Sequence, residues 1–271
     1  MEKSIGTRMK EYEEVTNFRL TNKIPVIIRL DGRSFHTFTK GFKKPFDDMF
    51  AHCMEVTMKR LCEEISGCIF GYTQSDEITL VLIDDKNNKG ESNPWFDNRV
   101  QKIASVSAGM ATLYFNEAFE KALSLYDQFV FSENACWEDE EDFRFRERKK
   151  HTATFDSRVF NIPENEVLNN LIWRQNDATK NSINSLAQSH FKHRELQNKT
   201  TSEMQNMLLT QKSINWNDTP TRHKRGCSCV KVPTEVQTPH GVVIRNKWVI
   251  DKEMPILTQN PDYINNLFKE N

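Results

Sequence analysis

Ile24-Pro25-Val26-Ile27-Ile28-Arg29-Leu30-Asp31-Gly32-Arg33 opens as a short, β-branched, nearly continuous apolar run and stops at an acid and a turn signal. A strand buried on both faces reads this way, and the Asp-Gly pair ends it. Downstream, Pro45 followed by Asp47 and Asp48 marks a helix start, where acids favour the positive end of the dipole. Phe46, Met49, Phe50, Cys53, Thr57, Leu61 and Ile65 then keep helical spacing to about Ser66-Gly67. Two strands follow, Cys68 to Tyr72 and Ile78 to Ile83, joined through Thr73-Gln74-Ser75-Asp76-Glu77. Residues 85–94 read as a loop. A long helix is expected next, with Phe96, Val100, Ile103, Ser107, Met110 and Tyr114 on one face. A strand near 153–160 and a helix from Glu164 to about Leu186 complete the legible part, and beyond 188 the chain is polar and hard to place.

The order strand, helix, strand, strand, helix, strand is the split βαβ arrangement of ferredoxin-like sheets. The fold class is therefore α/β (α+β): an antiparallel sheet with flanking helices and a C-terminal extension. Residues 1–187 are expected to form the main domain and 188–271 the extension, packed on the same globule. In this topology the first and third strands are antiparallel neighbours. Asp31, at the end of one, and Asp76, at the start of the other, then meet at one end of the sheet.

Composition suits a globular chain: 271 residues, 37% hydrophobic and 28% charged, with net charge −1. No apolar run approaches the roughly 18 residues of a membrane span, and Met1-Glu2-Lys3-Ser4-Ile5-Gly6 lacks a signal-peptide core. A cytoplasmic protein without membrane contact is expected. Cys53, Cys62 and Cys68 fall in apolar pattern and read as small buried residues. Cys227-Ser228-Cys229, with His223 nearby, has tighter spacing than an ordinary zinc site and reads first as structural thiols. The acidic run at 137–142 is followed at once by Arg144, Arg146, Arg148, Lys149 and Lys150, and a second basic cluster is Arg222-His223-Lys224-Arg225. Such runs read as solvated faces or loops, or as local phosphate contacts.

Two facing acids repel and raise each other's pKa unless a cation lies between them. Mg²⁺ binds through one or two carboxylates, waters and substrate phosphates, and two such ions can clamp an in-line phosphoryl displacement. An aspartate after a strand is also a common turn former, so each acid alone decides little. Glu77 adjoins Asp76 and on an extended chain points to the opposite face, which makes Asp76 the better ligand. Gly32 leaves the backbone unhindered, Lys40, Lys43 and Lys44 can meet phosphate oxygens, and Ser75 brings a hydroxyl beside Asp76. No Walker-type loop and no Gly-x-Gly-x-x-Gly occurs.

The segments Ile28-Arg29-Leu30-Asp31-Gly32-Arg33-Ser34-Phe35-His36 and Gly71-Tyr72-Thr73-Gln74-Ser75-Asp76-Glu77 resemble the tRNA-histidine guanylyltransferase family, including its bacterial 3′-to-5′ polymerases. Lys44-Pro45, Trp95-Phe96, Phe155-Asp156-Ser157-Arg158-Val159 and Trp173-Arg174-Gln175-Asn176-Asp177 follow in the family's order. The resemblance implies a polymerase-palm-like domain with two Mg²⁺ ions held by Asp31, the Gly32 carbonyl and Asp76, and with Asp31, Asp76 and Glu77 as its catalytic acids. It implies a triphosphate site along Asp31, Gly32, Arg33, Ser34, Phe35 and His36 with Ser75 and Asp76, and contact of Lys44 with the activating nucleotide. ATP and GTP are the implied substrates with tRNA, and a homotetramer is the implied assembly. In the two-stage reaction that the resemblance implies, a tRNA 5′-monophosphate is first activated by ATP or GTP. The 3′-hydroxyl of an incoming nucleoside triphosphate then attacks that end and releases the activating nucleoside monophosphate.

Enzymes that add the extra G to histidine tRNA carry His-Ile-Asn-Asn-Leu-Tyr-Asn after the Trp-Arg-Gln element. Here the run is Thr179-Lys180-Asn181-Ser182-Ile183-Asn184-Ser185, which keeps Asn181 and lacks the histidine. Template-dependent repair of 5′-truncated tRNA is the expected activity, with guanylylation of histidine tRNA as the alternative. RNA contacts are expected at Arg144, Lys149, Lys150, Arg174, Asn181, Arg222, Lys224 and Arg225. A nucleotide cyclase would need a Gly-Gly-Asp-Glu-type turn at 74–77, which is lacking. A non-catalytic RNA-binding sheet would need aromatics on the first strand, which has none.

Overall fold

The computed structural model describes residues 3–84, 94–130, 137–238 and 241–269. After α1 (Ile5–Glu14), β1 (Val26–Gly32) passes through one helical turn, α2 (Phe35–Phe38), into α3 (Asp48–Glu64). β2 (Cys68–Gln74) and β3 (Glu77–Leu82) form a hairpin, and a 3-10 turn at Trp95–Asn98 leads into α4 (Val100–Val130). α5 (Trp137–Glu147), β4 (Phe155–Asn161) and α6 (Glu164–His190) follow. The rest comprises α7 (His193–Leu196), α8 (Thr201–Lys212), α9 (Thr221–Arg225), the long hairpin β5 (Cys227–Thr238) and β6 (Gly241–Asp251), and α10 (Asp262–Asn265). No helix among the described residues is long and apolar enough to cross a membrane.

One antiparallel sheet carries the order β4-β1-β3-β2-β5-β6. Its first four strands are the expected split βαβ arrangement. β5 joins the β2 edge with Cys227 to Cys229 opposite Gly71 to Thr73, and holds β6 outside it. Alternation along β1 divides the core. Ile28 and Leu30 pack with α3 and α4 side chains such as Met54, Met58, Leu61 and Phe115, whereas Ile27 packs with Val167 and Leu171 of α6. Each such side chain, fully buried, stabilises the fold by about 1.5–3 kcal/mol.

Several boundaries differ from the sequence reading. The helix expected from Pro45 begins at Asp48, because Asp47 is its N-cap and accepts from the Phe50 amide at 2.9 Å. Phe96 is not in the long helix: Phe96, Asp97 and Asn98 take positive φ, and regular helix begins at Val100. The acid-then-base segment at 137–150 is mostly helix α5, with Glu138, Asp139 and Glu140 in its first turn and Arg144 and Arg146 in its last, complementing the helix dipole. The loop at 85–94 falls almost wholly outside the described residues.

β5 is seated through Gly226, whose φ is +83°. A Cβ there would lie 2.5 Å from the Thr73 carbonyl oxygen and 2.8 Å from the Tyr72 hydroxyl, while that hydroxyl donates to the Arg225 carbonyl at 2.7 Å. Gly226→Ala is therefore expected to cost about 1–3 kcal/mol from backbone strain alone, and more from lost β5–β2 seating. A lowered urea midpoint at unchanged m-value would register it, and an unchanged midpoint would refute it.

Candidate active site

β1 delivers Asp31 to one end of the sheet, where it lies across from Glu77 of β3 on one side and Asp156 of β4 on the other. The β2–β3 turn consists of Ser75 and Asp76 alone, with Ser75 at φ +48°. The Gly32 amide donates to the Asp76 carbonyl at 3.0 Å, which ties the end of β1 to that turn. Asp31 and Asp76 thus converge as the topology requires. Burial raises the Asp76 pKa, and the negative charge of Asp31 pushes the same way. The Ser75 hydroxyl, donating to Asp76 Oδ1 at 3.1 Å, and the charge of His36 act against the rise.

Glu77 has a different environment. It is 6% exposed and its Oε2 accepts from Arg174 Nη1 at 2.9 Å, with Arg29 Nε at 3.7 Å. Burial raises its pKa while the two arginines oppose the rise. Glu77 is therefore a charge-paired group beneath Asp31 and not part of the open acid pair.

The chain between Asp31 and His36 is held by packing. A Cβ on Gly32 would lie 2.4–2.7 Å from the Phe35 ring, so only glycine lets that ring fold back under the strand end. Phe35 is buried with ring centroids 5.0 Å from Phe38 and Phe155 and 5.4 Å from Phe115. The Arg33 amide donates to the Thr154 carbonyl at 2.9 Å and Ser34 takes φ +56°. Arg33, Ser34 and His36 remain exposed. A non-glycine residue in this backbone region is strained and is held there by its surroundings.

Beside Asp76 opens a cavity of about 360 Å³, within the range of small-molecule sites. His36, Lys44, Ser75, Asn181 and Arg222 are among its lining residues, whereas Asp31, Gly32, Arg33 and Ser34 lie outside the lining. Phe46 stacks on His223 at 4.7 Å in one wall. Arg222 is pinned there by Asp48 and by Glu55 Oε1 at 3.1 Å, and Lys252 lies 2.9 Å from Glu55 Oε2. The His223 pKa is lowered by burial, against the pull of Asp48.

Among the described residues no cationic side chain ion-pairs with Asp31 or Asp76, and no three His, Cys, Asp or Glu side chains gather as a metal site. The donors present are two carboxylates and backbone oxygen, a hard set short of positive charge. That chemistry fits Mg²⁺, which needs only one or two protein carboxylates, and does not fit zinc. Cys227 and Cys229 are buried free thiols. Burial pushes the Cys227 thiol up and raises that of Cys62, with Cys229 and Cys68 beside it acting in the same direction, so these cysteines serve as packing.

The expected RNA contacts scatter. Arg144 is exposed and, among the described residues, pairs with Glu140 of its own helix. Lys149 Nζ donates to the Thr37 carbonyl at 3.1 Å, Lys150 pairs with Glu120 at 3.3 Å and Lys224 Nζ donates to the Asn217 carbonyl at 2.6 Å. Arg174 is buried against Glu77, Arg222 is held in the cavity wall, and Arg225 is partly buried with its Nε lacking a hydrogen-bond partner among the described residues. Asn181 is exposed at the cavity. Sequence reasoning missed Asp47 and Glu55 as cavity residues. Glu55 is 2% exposed on α3, yet it lies off the apolar stripe read from the sequence, so helical spacing gave no signal for it.

Residues 6–163 match the family model described as tRNAHis guanylyltransferase. A bacterial tRNA(His) guanylyltransferase-like protein solved in complex with ATP is 38% identical, with TM-score 0.80 over 98% of this chain and 99% of its own. The same description in complex with GTP matches at 37% identity and TM-score 0.76, with the same coverage of 98% and 99%. The probable tRNA(His) guanylyltransferase of Mus musculus is 27% identical, across 97% of this chain and 87% of its own.

Proposed function

Since the chain belongs to the tRNAHis guanylyltransferase family, we propose that it extends the 5′ end of tRNA in the 3′-to-5′ direction and acts chiefly on 5′-truncated tRNA. It is a nucleotidyltransferase. The observation that carries the finer reading is the meeting of Asp31 and Asp76 beside a cavity lined by Lys44, His36, Ser75 and Asn181. The bacterial relatives solved in complex with ATP and with GTP support nucleoside triphosphates as ligands of this chain.

Asp31 and Asp76, with the Gly32 carbonyl, would hold Mg²⁺, which neutralises phosphate charge and polarises the reacting oxygens. The chain's own work is positioning. The 31–36 segment, fixed by the Phe35 cluster, presents Arg33, Ser34 and His36 to the triphosphate. Lys44 supplies a point charge at the cavity, and Ser75 orients the Asp76 carboxylate. Glu77 orders Arg29 and Arg174 beneath Asp31. Of the basic residues on and just after α5, Arg144 and Arg148 are exposed and Lys149 and Lys150 half-buried, and this group is offered to RNA phosphates.

Repair is favoured over guanylylation of histidine tRNA because Thr179 stands where guanylylating enzymes carry histidine, while Asn181 at the cavity is kept. The test is incorporation of labelled nucleotides, with ATP and Mg²⁺, into 5′-monophosphorylated truncated tRNA and into intact histidine tRNA. Preferential extension of the truncated RNA is expected. Selective addition of G to intact histidine tRNA would reverse the assignment, and no incorporation into either would end it.

A further inference from the structure

Trp173 projects from α6 with 53% of its surface exposed, although tryptophan is commonly well buried. Its position is ordered. The Arg174 guanidinium lies 3.5 Å from the indole centroid and that of Arg29 5.8 Å away. Both guanidiniums converge on Glu77 Oε2, and Arg174 is further held by Asp177 at 3.4 Å. The cations therefore back the indole on its inner side, and its outward surface meets solvent.

Strand register shows what lies beside it. Asp156, Asp31 and Glu77 form one cross-strand row and Arg158, Arg29 and Thr79 a second, and alternation puts both rows on the α6 side of the sheet. β4 is the edge strand, and its Asp156 and Arg158 are exposed. The sheet face between the β4 edge and α6 is thus open and flanks Asp31 away from the cavity lining, and it carries an exposed arginine and a backed aromatic plane. Trp173, Asp156 and Arg158 lie outside the cavity lining, so a nucleotide in the cavity would leave this face free for an RNA end.

We propose that Trp173 is the stacking surface for the 5′-terminal base of the RNA being extended, a role that rests on the 5′-end transferase reading above. Every base presents a π face, so stacking tolerates any terminal nucleotide. A polymerase that takes its sequence from a template needs that tolerance. Arg29 and Arg174 hold the indole rigid and position it, so little ordering is left to binding.

The test uses truncated tRNA with 2-aminopurine at its 5′ terminus, bound to the full chain without nucleotide. Wild type is expected to quench the probe, Trp173→Phe to keep most of the quenching, and Trp173→Ala to lose it. Trp173→Ala should also raise the KM for the RNA about tenfold, with the KM for the nucleoside triphosphate within about twofold of wild type. Equal quenching by wild type and Trp173→Ala, or Trp173→Phe failing as badly as Trp173→Ala, would overturn the assignment. So would a change in sedimentation of Trp173→Ala, which would make the indole a subunit contact. Trp173-dependent quenching without incorporation by wild type would sink the transferase reading and leave the platform standing; incorporation indifferent to Trp173 would do the reverse.

Discussion

Asp76→Ala and Asp31→Ala are each expected to lower nucleotide incorporation by about 10³-fold or more, while the protein without divalent cation keeps its thermal stability or gains some. The first effect follows from the proposed cation sites: charge stabilisation by a bound metal supplies several kcal/mol of the barrier, and about 1.4 kcal/mol is tenfold in rate. The second follows from the electrostatics of the empty-handed pair. Asp76 carries a raised pKa from burial and from the charge of Asp31, so removing either acid relieves a net penalty that outweighs the Ser75 hydrogen bond lost with Asp76. The double variant should be no worse than either single one, because the two acids act as a unit. Thermal melts give an independent readout. Mg²⁺ should raise the melting temperature of wild type by mass action and leave both alanine variants unmoved. A variant that melts well below wild type without cation, or that still responds fully to Mg²⁺, would defeat this account.

The part of the fold that places Asp31 and Asp76 was legible because its signals are local and periodic. The apolar run through Leu30 and the helical stripe from Met49 to Leu61 each answer to one period, and their order implies the β1–β3 neighbourhood. The helix at 137–147 was less visible because its acids and arginines mask any apolar face, and the partners that bury Arg146 lie far off in sequence. The β5–β6 hairpin was missed for another reason. Its valines alternate with polar residues around Pro233, and most of its surface is exposed away from the core, so no buried face marks it. In the site, the acids and Lys44 were readable from residue type and order. The burial of Arg174 on Glu77 and of Arg222 on Glu55 was not, since a basic residue reads the same in sequence whether it faces phosphate or a buried carboxylate.

Arg146 shows how large that ambiguity becomes, and Arg146→Met is expected to destabilise the fold by about 3–5 kcal/mol, the range for stranding one partner of a buried ion pair. Sequence placed it in a basic cluster, yet it is 5% exposed. Its Nη2 and Nη1 donate to Asp47 at 2.7 and 3.2 Å, its Nε donates to Asp142 at 2.7 Å, and its guanidinium lies 4.5 Å from the Phe42 ring. Asp47 in turn caps α3 through the Phe50 amide and accepts from the Lys43 amide at 3.1 Å, so the pair fastens α5 to the cavity wall. Burial alone would raise the Asp47 pKa. The Arg146 hydrogen bond, the Phe50 amide and the Arg146 charge outweigh it and leave the pKa lowered. A lowered folded pKa stabilises above the ordinary value of 3.8, and that contribution is lost as pH falls through the folded value. In Arg146→Met only the Phe50 and Lys43 amides are left to offset burial, so the Asp47 pKa rises and its ionised form costs the fold more. The stability gap between wild type and variant should therefore be widest near about pH 7 and shrink towards about pH 4, as read from urea midpoints. Arg146→Lys, which keeps the charge and loses the fork, should fall between them. A loss under about 1 kcal/mol, the ceiling for exposed pairs, or a gap that widens on acidification, would mean that Asp47 does not depend on Arg146 as its geometry requires.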